Sequence, residues 1–81
     1  MRRVAVESTS IASIGYDRRR RELEIEFRDT GDVYRYFSVS AGEYADLMAA
    51  ESKGTYFSQV FKPQEHHYFV VKEGKRLASN G

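Results

Sequence analysis

The sequence predicts an α+β domain: a three-stranded antiparallel meander packed against two short helices, with a candidate short strand near the C-terminal end. Three observations lead there. Residues 22–28 alternate without a break, with Leu23, Ile25 and Phe27 facing one way and Glu22, Glu24, Glu26 and Arg28 the other. That period of two is the pattern of a strand buried on one face. Ser40 with Glu43 three residues later is a capping-box pattern, which marks the start of a helix. Finally, 81 residues give a prior of a single domain with a modest core, burying roughly 60% of its unfolded surface.

The elements follow in order. Residues 11–16 read as the first strand, with Ala12, Ile14 and Tyr16 on one face, and residues 17–21 are a polar break. Residues 22–28 are the second strand. Asp29, Thr30, Gly31 and Asp32 have turn composition, with Gly31 free to take a positive φ. Residues 33–39, rich in aromatic and β-branched side chains, form the third strand.

Its register has two solutions, and Arg35 decides between them. Facing outward, Arg35 lies beside Glu24 and Glu26, where an opposite-charge cross-strand pair contributes roughly 0.2–1 kcal/mol. Facing inward, it places an unpaired charge in a small core, at far greater cost. Tyr34 and Tyr36 therefore point inward. Glu22, Glu24 and Glu26 are expected to line an exposed acidic sheet face with Arg35 among them. By the same alternation Phe37 points away from the core, either exposed or packed under a chain end.

Tyr44, Leu47 and Met48 form one helical stripe, and residues 51–54 break it. Tyr56, Phe57, Val60 and Phe61 form a second stripe that Pro63 is expected to stop. Residues 68–72 are the candidate last strand. The expected layout is one domain over residues 6–72 and a flexible polar tail over residues 73–81.

Composition excludes several kinds of function. There is no cysteine, so disulfides and thiolate metal sites are ruled out, and a reducing, cytoplasmic setting is expected. The longest apolar runs, residues 47–50 and 68–71, fall far short of the about 20 residues of a membrane span. Glu7, Ser8, Thr9 and Ser10 interrupt any signal sequence after Arg2 and Arg3. No strained nucleophile turn and no Gly-rich phosphate loop occurs, so no enzyme and no cofactor are expected. His66 and His67 are adjacent, so on a strand they point to opposite faces. They are expected to be a solvent-facing pair and not metal ligands.

Charge is distributed unevenly around a net of +1. Residues 1–21 carry six arginines against Glu7 and Asp17, residues 22–51 carry eight acids against Arg28 and Arg35, and residues 52–81 carry five bases against Glu65 and Glu73. Arg18, Arg19, Arg20 and Arg21 sit together at the tip of the first hairpin. Either they are a solvated turn, or they are a phosphate-contacting finger, for which the planar, bidentate guanidinium is suited. Lys53, at the start of the second helix, is the other candidate base. The six tyrosines and five phenylalanines are mostly expected in the core.

The segment Ser8-Thr9-Ser10-Ile11-Ala12-Ser13-Ile14-Gly15-Tyr16-Asp17 resembles the opening of the KTSC domain, a small module named for the C-terminus of some lysyl-tRNA synthetases. Tyr34-Arg35-Tyr36 is similar to its central Tyr-x-Tyr. Residues 44–50 resemble its following helix, and Ser52-Lys53-Gly54-Thr55-Tyr56-Phe57 resembles its closing Ser-x-Gly segment. The resemblance covers residues 8–61 and implies a bacterial setting and contact with RNA. The run of four arginines lies outside the family pattern. Two functions are expected from these readings: a non-catalytic module contacting RNA through Arg18, Arg19, Arg20, Arg21 and Lys53, or a protein-interaction adaptor using exposed aromatics such as Phe37 and Tyr68.

Overall fold

Among the described residues five antiparallel strands, two more than the expected meander, carry the fold. The computed structural model describes residues 1–74, and the order of elements is β1 (Arg3–Ala5), β2 (Ile11–Asp17), β3 (Glu22–Phe27), β4 (Val33–Tyr36), α1 (Ala41–Ala49), α2 (Lys53–Tyr56) and β5 (Tyr68–Lys72). The strands lie side by side in chain order. β1 pairs with β2 through Val4↔Ile14 and precedes the expected domain start at residue 6. β5, the candidate last strand, pairs with β4 through Tyr36↔Tyr68. Of the expected tail, residues 75–81 lie outside the described residues. Gly74 is held by its N–H, which donates to Asp32 Oδ1 at 2.7 Å.

The register of β4 is the one that Arg35 selects. Glu24 pairs with Arg35 and Ile25 with Tyr34, so Tyr34 and Tyr36 share the inner face with Leu23 and Ile25. In β2 a bulge between Ile11 and Ser13 resets the alternation. Ile11 therefore joins Ile14 in the core, which strict alternation from Ala12 had not foreseen. The core gathers Ile11, Ile14, Leu23, Ile25, Tyr36, Val39, Leu47 and Phe61, with Phe27, Tyr34, Tyr44 and Phe57 packed against it.

The helical layer starts where the sequence places it. Ser40 N–H donates to Glu43 Oε1 at 2.9 Å, and Glu43 N–H donates to Ser40 Oγ at 3.1 Å, the reciprocal pair of a capping box. Ser52 caps α2, its hydroxyl accepting from Thr55 N–H. The second helical segment then changes pitch. Phe57–Phe61 is a π-turn and Lys62–Gln64 a 3₁₀ turn, so the coil continues one residue beyond Pro63 before Glu65 takes a left-handed conformation. A proline lacks the N–H but fits the first turn of a helix, and here it sits in the first turn of the 3₁₀ piece. The wider π-turn keeps Phe57 and Phe61 on one side, their rings stacked with centroids 5.5 Å apart.

The outer sheet face is not the exposed acidic surface the alternation suggested. Glu24 is 2% exposed. Arg3 Nη1 reaches Glu24 Oε1 at 3.0 Å, and Arg35 closes on Glu24 Oε2 with both Nε and Nη2. Ser13 Oγ donates to Glu26 at 2.8 Å while accepting from Arg3 Nε. Arg35 also lies 5.6 Å from the centroid of the Phe69 ring, and Phe69 stacks on Phe37. The acids are thus covered by a layer of guanidinium and aromatic groups. The reason is β1: it delivers Arg3 over β2 and onto β3.

Candidate functional site

The arginine tip is built by its flanking acid. Asp17 Oδ1 accepts from the N–H groups of Arg19 and Arg20 at 3.0 and 3.1 Å, an Asx-type turn. Arg21 closes it with φ 58°, and its carbonyl accepts from Val39 N–H at 2.9 Å, tying the tip to the start of the helical layer. The backbone is therefore fixed, while the side chains of Arg18, Arg19, Arg20 and Arg21 stand in solvent. Among the described residues, none of these four guanidiniums forms an ion pair. Of the nearby acids, Asp17 is spent on the tip's own backbone, Glu22 lies 3.9 Å from Arg35, and Glu24 pairs with Arg3 and Arg35.

Lys53 lies at the other end of the sheet. Gly54 abuts Ser10, and a Cβ on that glycine would stand 2.9 Å from Ser10 Oγ. Ser10 precedes β2, and the arginine tip follows it. At about 3.3 Å per residue a seven-residue strand separates the two ends by roughly 20 Å. The Lys53 ammonium donates to Ala50 O at 3.1 Å, closing the turn between the helices. The structure groups the four arginines and leaves Lys53 apart from them. The Ser8-Thr9-Ser10 and Ser52-Lys53-Gly54 segments, distant in sequence, meet at this contact.

A second feature lies beyond the sequence reading. Between the inner face of β3–β5 and the chain of residues 57–66 is a groove of about 890 Å³. Tyr34, Tyr36 and Tyr68 form its floor, with ring centroids 5.2–6.2 Å apart. Phe57 stands at 62° to Tyr36, and Phe27 at 87° to Tyr34. Tyr36 is 8% exposed. Its burial, and then its neighbours Tyr34 and Tyr68, push its phenol far above the ordinary tyrosine value, so it stays protonated. The sequence did hold a signal. Tyr34 and Tyr36 are inward-facing residues with polar tips, and such a tip needs a partner or an opening.

His66 borders this groove and is not the solvent-facing residue expected. Its ring stacks on Phe61 at 4.7 Å, Nδ1 lies 3.1 Å from the Phe37 carbonyl oxygen, and Nε2 lies 2.9 Å from Glu43 Oε2. Both neighbours are acceptors, so both contacts are hydrogen bonds together only when each ring nitrogen carries a proton. Burial alone would raise the Glu43 carboxyl. The hydrogen bonds from Ser40 and His66 and the charge of His66 outweigh it and hold Glu43 below its ordinary value.

A lowered folded-state value means stability that is present above the unfolded Glu range and lost as pH falls through the folded value. Glu43→Gln is therefore expected to flatten the loss of stability below about pH 5, as read by urea unfolding across pH. An unchanged acid limb would show that the clamp contributes nothing. Among the described residues no group of three or more His, Asp or Glu is gathered for a metal, and no helix is long and apolar enough to cross a membrane.

Comparison with known proteins places this geometry. A family model described as the KTSC domain matches residues 7–71. An uncharacterised protein of Stutzerimonas stutzeri (strain A1501) is 45% identical over 71 residues, covering 88% of this chain and 99% of that protein. A lysine–tRNA ligase of Nostoc punctiforme is 39% identical over 56 residues, 69% of this chain and 10% of the ligase. The crystal structure of a KTSC domain protein from Yersinia pestis superposes with a TM-score of 0.81 at 38% identity, covering 88% of this chain and 97% of that one.

Proposed function

Because this chain belongs to the KTSC domain family, we propose that it is a small non-catalytic binding module of the bacterial cytoplasm that contacts RNA phosphates through Arg18, Arg19, Arg20 and Arg21. One observation carries the reading: four adjacent guanidiniums stand on a fixed turn without a carboxylate partner. Arginine in solvent is normally balanced by mixed charge nearby. Here Glu22 and Glu24 are held by Arg3 and Arg35, and Asp17 is turned onto the backbone N–H groups of the tip. A related segment occurs in a lysine–tRNA ligase, which supports an RNA setting. The tip is far from Lys53, so Lys53 serves this reading only as a second, separate contact. Both ring nitrogens of His66 face protein acceptors, Glu43 and the Phe37 carbonyl, which supports a clamp and not an open base.

Electrophoretic shift with tRNA across a salt series tests this. With two to four phosphates contacted, log K is expected to fall against log salt with a slope of about −1.5 to −3, at roughly −0.7 per phosphate on single strands. Replacing Arg19 and Arg20 by alanine weakens binding to all RNA sequences alike, since phosphate contacts position without specifying. The melting temperature should barely move, because such surface changes stay within about 0.5 kcal/mol. A double variant that binds as well as the parent overturns the reading.

A second reading, a protein-interaction adaptor, is favoured by β5. Tyr68, Phe69, Val70 and Val71 are 40–55% exposed on an edge strand, a run that proteins usually shield. Absence of RNA binding at low salt would leave this reading alone.

A further inference from the structure

The arginine tip adjoins a pair of stacked tyrosines. Tyr16 immediately precedes Asp17, and its ring lies nearly parallel to that of Tyr44 on α1, at 11° with centroids 4.6 Å apart. The pair is tied to the tip through one residue. The Tyr16 hydroxyl donates to the Val39 carbonyl at 2.6 Å, and Val39 N–H donates to the Arg21 carbonyl at 2.9 Å. Tyr16 and Arg18 are two residues apart, roughly 7 Å along the chain, a separation similar to that between the base and the phosphate of one nucleotide.

The pair is not enclosed. Both residues are half-buried, and their contact uses one face of each ring. The Tyr44 hydroxyl makes no hydrogen bond among the described residues. No enclosed side-chain polar atom lacks a partner, so the tip of Tyr44 reaches solvent.

The charges around the stack favour a polyanion beside it. Asp17 serves the backbone of the tip, Glu22 lies 3.9 Å from Arg35, and Glu43 is held by Ser40 and His66. Asp46 is exposed, but residues two apart on a helix do not share a face, so it stands away from Tyr44. On the strand side, a Cβ on Gly15 would come within 2.6 Å of the Arg2 carbonyl. The backbone at Arg2 therefore runs beside β2, one residue from Tyr16. The Arg2 side chain is exposed and forms no ion pair among the described residues.

We propose that an unpaired base stacks on Tyr44 and extends the Tyr16–Tyr44 pair while the arginine tip holds its phosphate, so that the module selects single-stranded RNA. Stacking on an aromatic ring accepts every base, because every base has a π-face. In a duplex the bases are already stacked on one another and present only their edges, which closes this contact. The inference rests on the RNA reading and names the class of RNA.

The test uses the whole chain and three probes: an unstructured ten-nucleotide RNA, the same strand with its central bases removed to leave an abasic ribose-phosphate backbone, and the strand paired with its complement. The intact single strand is expected to bind about tenfold tighter than the abasic strand, a difference of about 1.4 kcal/mol, and tighter than the duplex. Tyr44→Leu should bring the intact strand down to the abasic affinity and leave the abasic affinity and its salt slope unchanged. Tyr44→Trp keeps a stacking ring and, in a chain without tryptophan, supplies the one indole signal. Its fluorescence should be quenched by the intact strand and not by the abasic one.

Equal binding of the intact and abasic strands, or an unquenched Tyr44→Trp, overturns the stacking contact and leaves the phosphate reading standing. A duplex bound as tightly as the single strand overturns the selection for single strands. No binding of any probe at low salt overturns both the inference and the RNA reading.

Discussion

Ile25→Ala is expected to lower the stability of this domain by about 2–5 kcal/mol. Ile25 has 0% exposure and sits mid-strand in β3, the centre of the sheet, paired with Ile14 on one side and Tyr34 on the other. Its side chain belongs to the cluster that includes Leu47 and Phe61, so truncation leaves a cavity walled by both layers. Strand neighbours fixed by hydrogen bonds cannot collapse to fill it, which favours the upper part of the range. Domains in general have only about 0.05–0.15 kcal/mol of stability per residue, so the variant should lie close to the unfolding threshold at room temperature. Urea denaturation gives the number directly. A loss under about 1 kcal/mol would mean that Ile25 does not sit where helices and sheet meet.

Glu24→Ala should cost a comparable amount, about 3 kcal/mol, although it removes a charged side chain. Breaking a buried ion pair by deleting one partner typically costs about 3–5 kcal/mol, because the remaining charge is left uncompensated. Here two guanidiniums lose their shared acceptor, Arg3 on one oxygen and Arg35 on the other. Both arginines keep about a quarter of their side-chain exposure, at 28% and 26%, so water compensates in part and the lower end of that range applies. Glu24→Gln separates charge from shape: it keeps one acceptor and should lose less than alanine does. If Glu24→Ala melts with the parent, the covered acid contributes no net stability, and the outer face is held by Phe37 and Phe69 instead.

What the sequence made legible was whatever depends on near neighbours. The alternation of Glu22 to Phe27 needs no tertiary information, and a single arginine at position 35 was enough to choose the face of β4. Ser40 and Glu43 are three residues apart, and their reciprocal bonds are local. β1 was missed because its three residues, Arg3, Val4 and Ala5, show no period of their own and form a strand only because β2 offers an edge. That miss carried forward. Without β1 there is no Arg3 above Glu24, and the acidic face reads as open.

The groove was missed for a related reason. Whether Tyr34, Tyr36 and Tyr68 are core or floor depends on how far residues 57–66 reach over the sheet, and the π-turn and 3₁₀ turn that set this path have no clear sequence period. The arginine tip was legible as a cluster, since four consecutive arginines need no fold to be seen. That its neighbouring acids are engaged elsewhere became visible only with the strands in register. The distance between the tip and Lys53 likewise depends on the packing of Gly54 against Ser10.

The chain-order sheet also sets a sequence of events in assembly. β1 to β4 can zip together from their own short turns, each pairing closing a small loop at little entropic cost, and low contact order of this kind favours rapid folding. β5 is different. It reaches β4 only after all of residues 37–67, so its loop is the longest in the sheet, and its closure cost grows as about (3/2)RT ln n. Pairing of β1 to β4 is therefore expected to precede the docking of β5 on β4. During that interval Tyr34 and Tyr36 on β4 are an open template, and the strand that completes it is free to come from the same chain or from a neighbouring one.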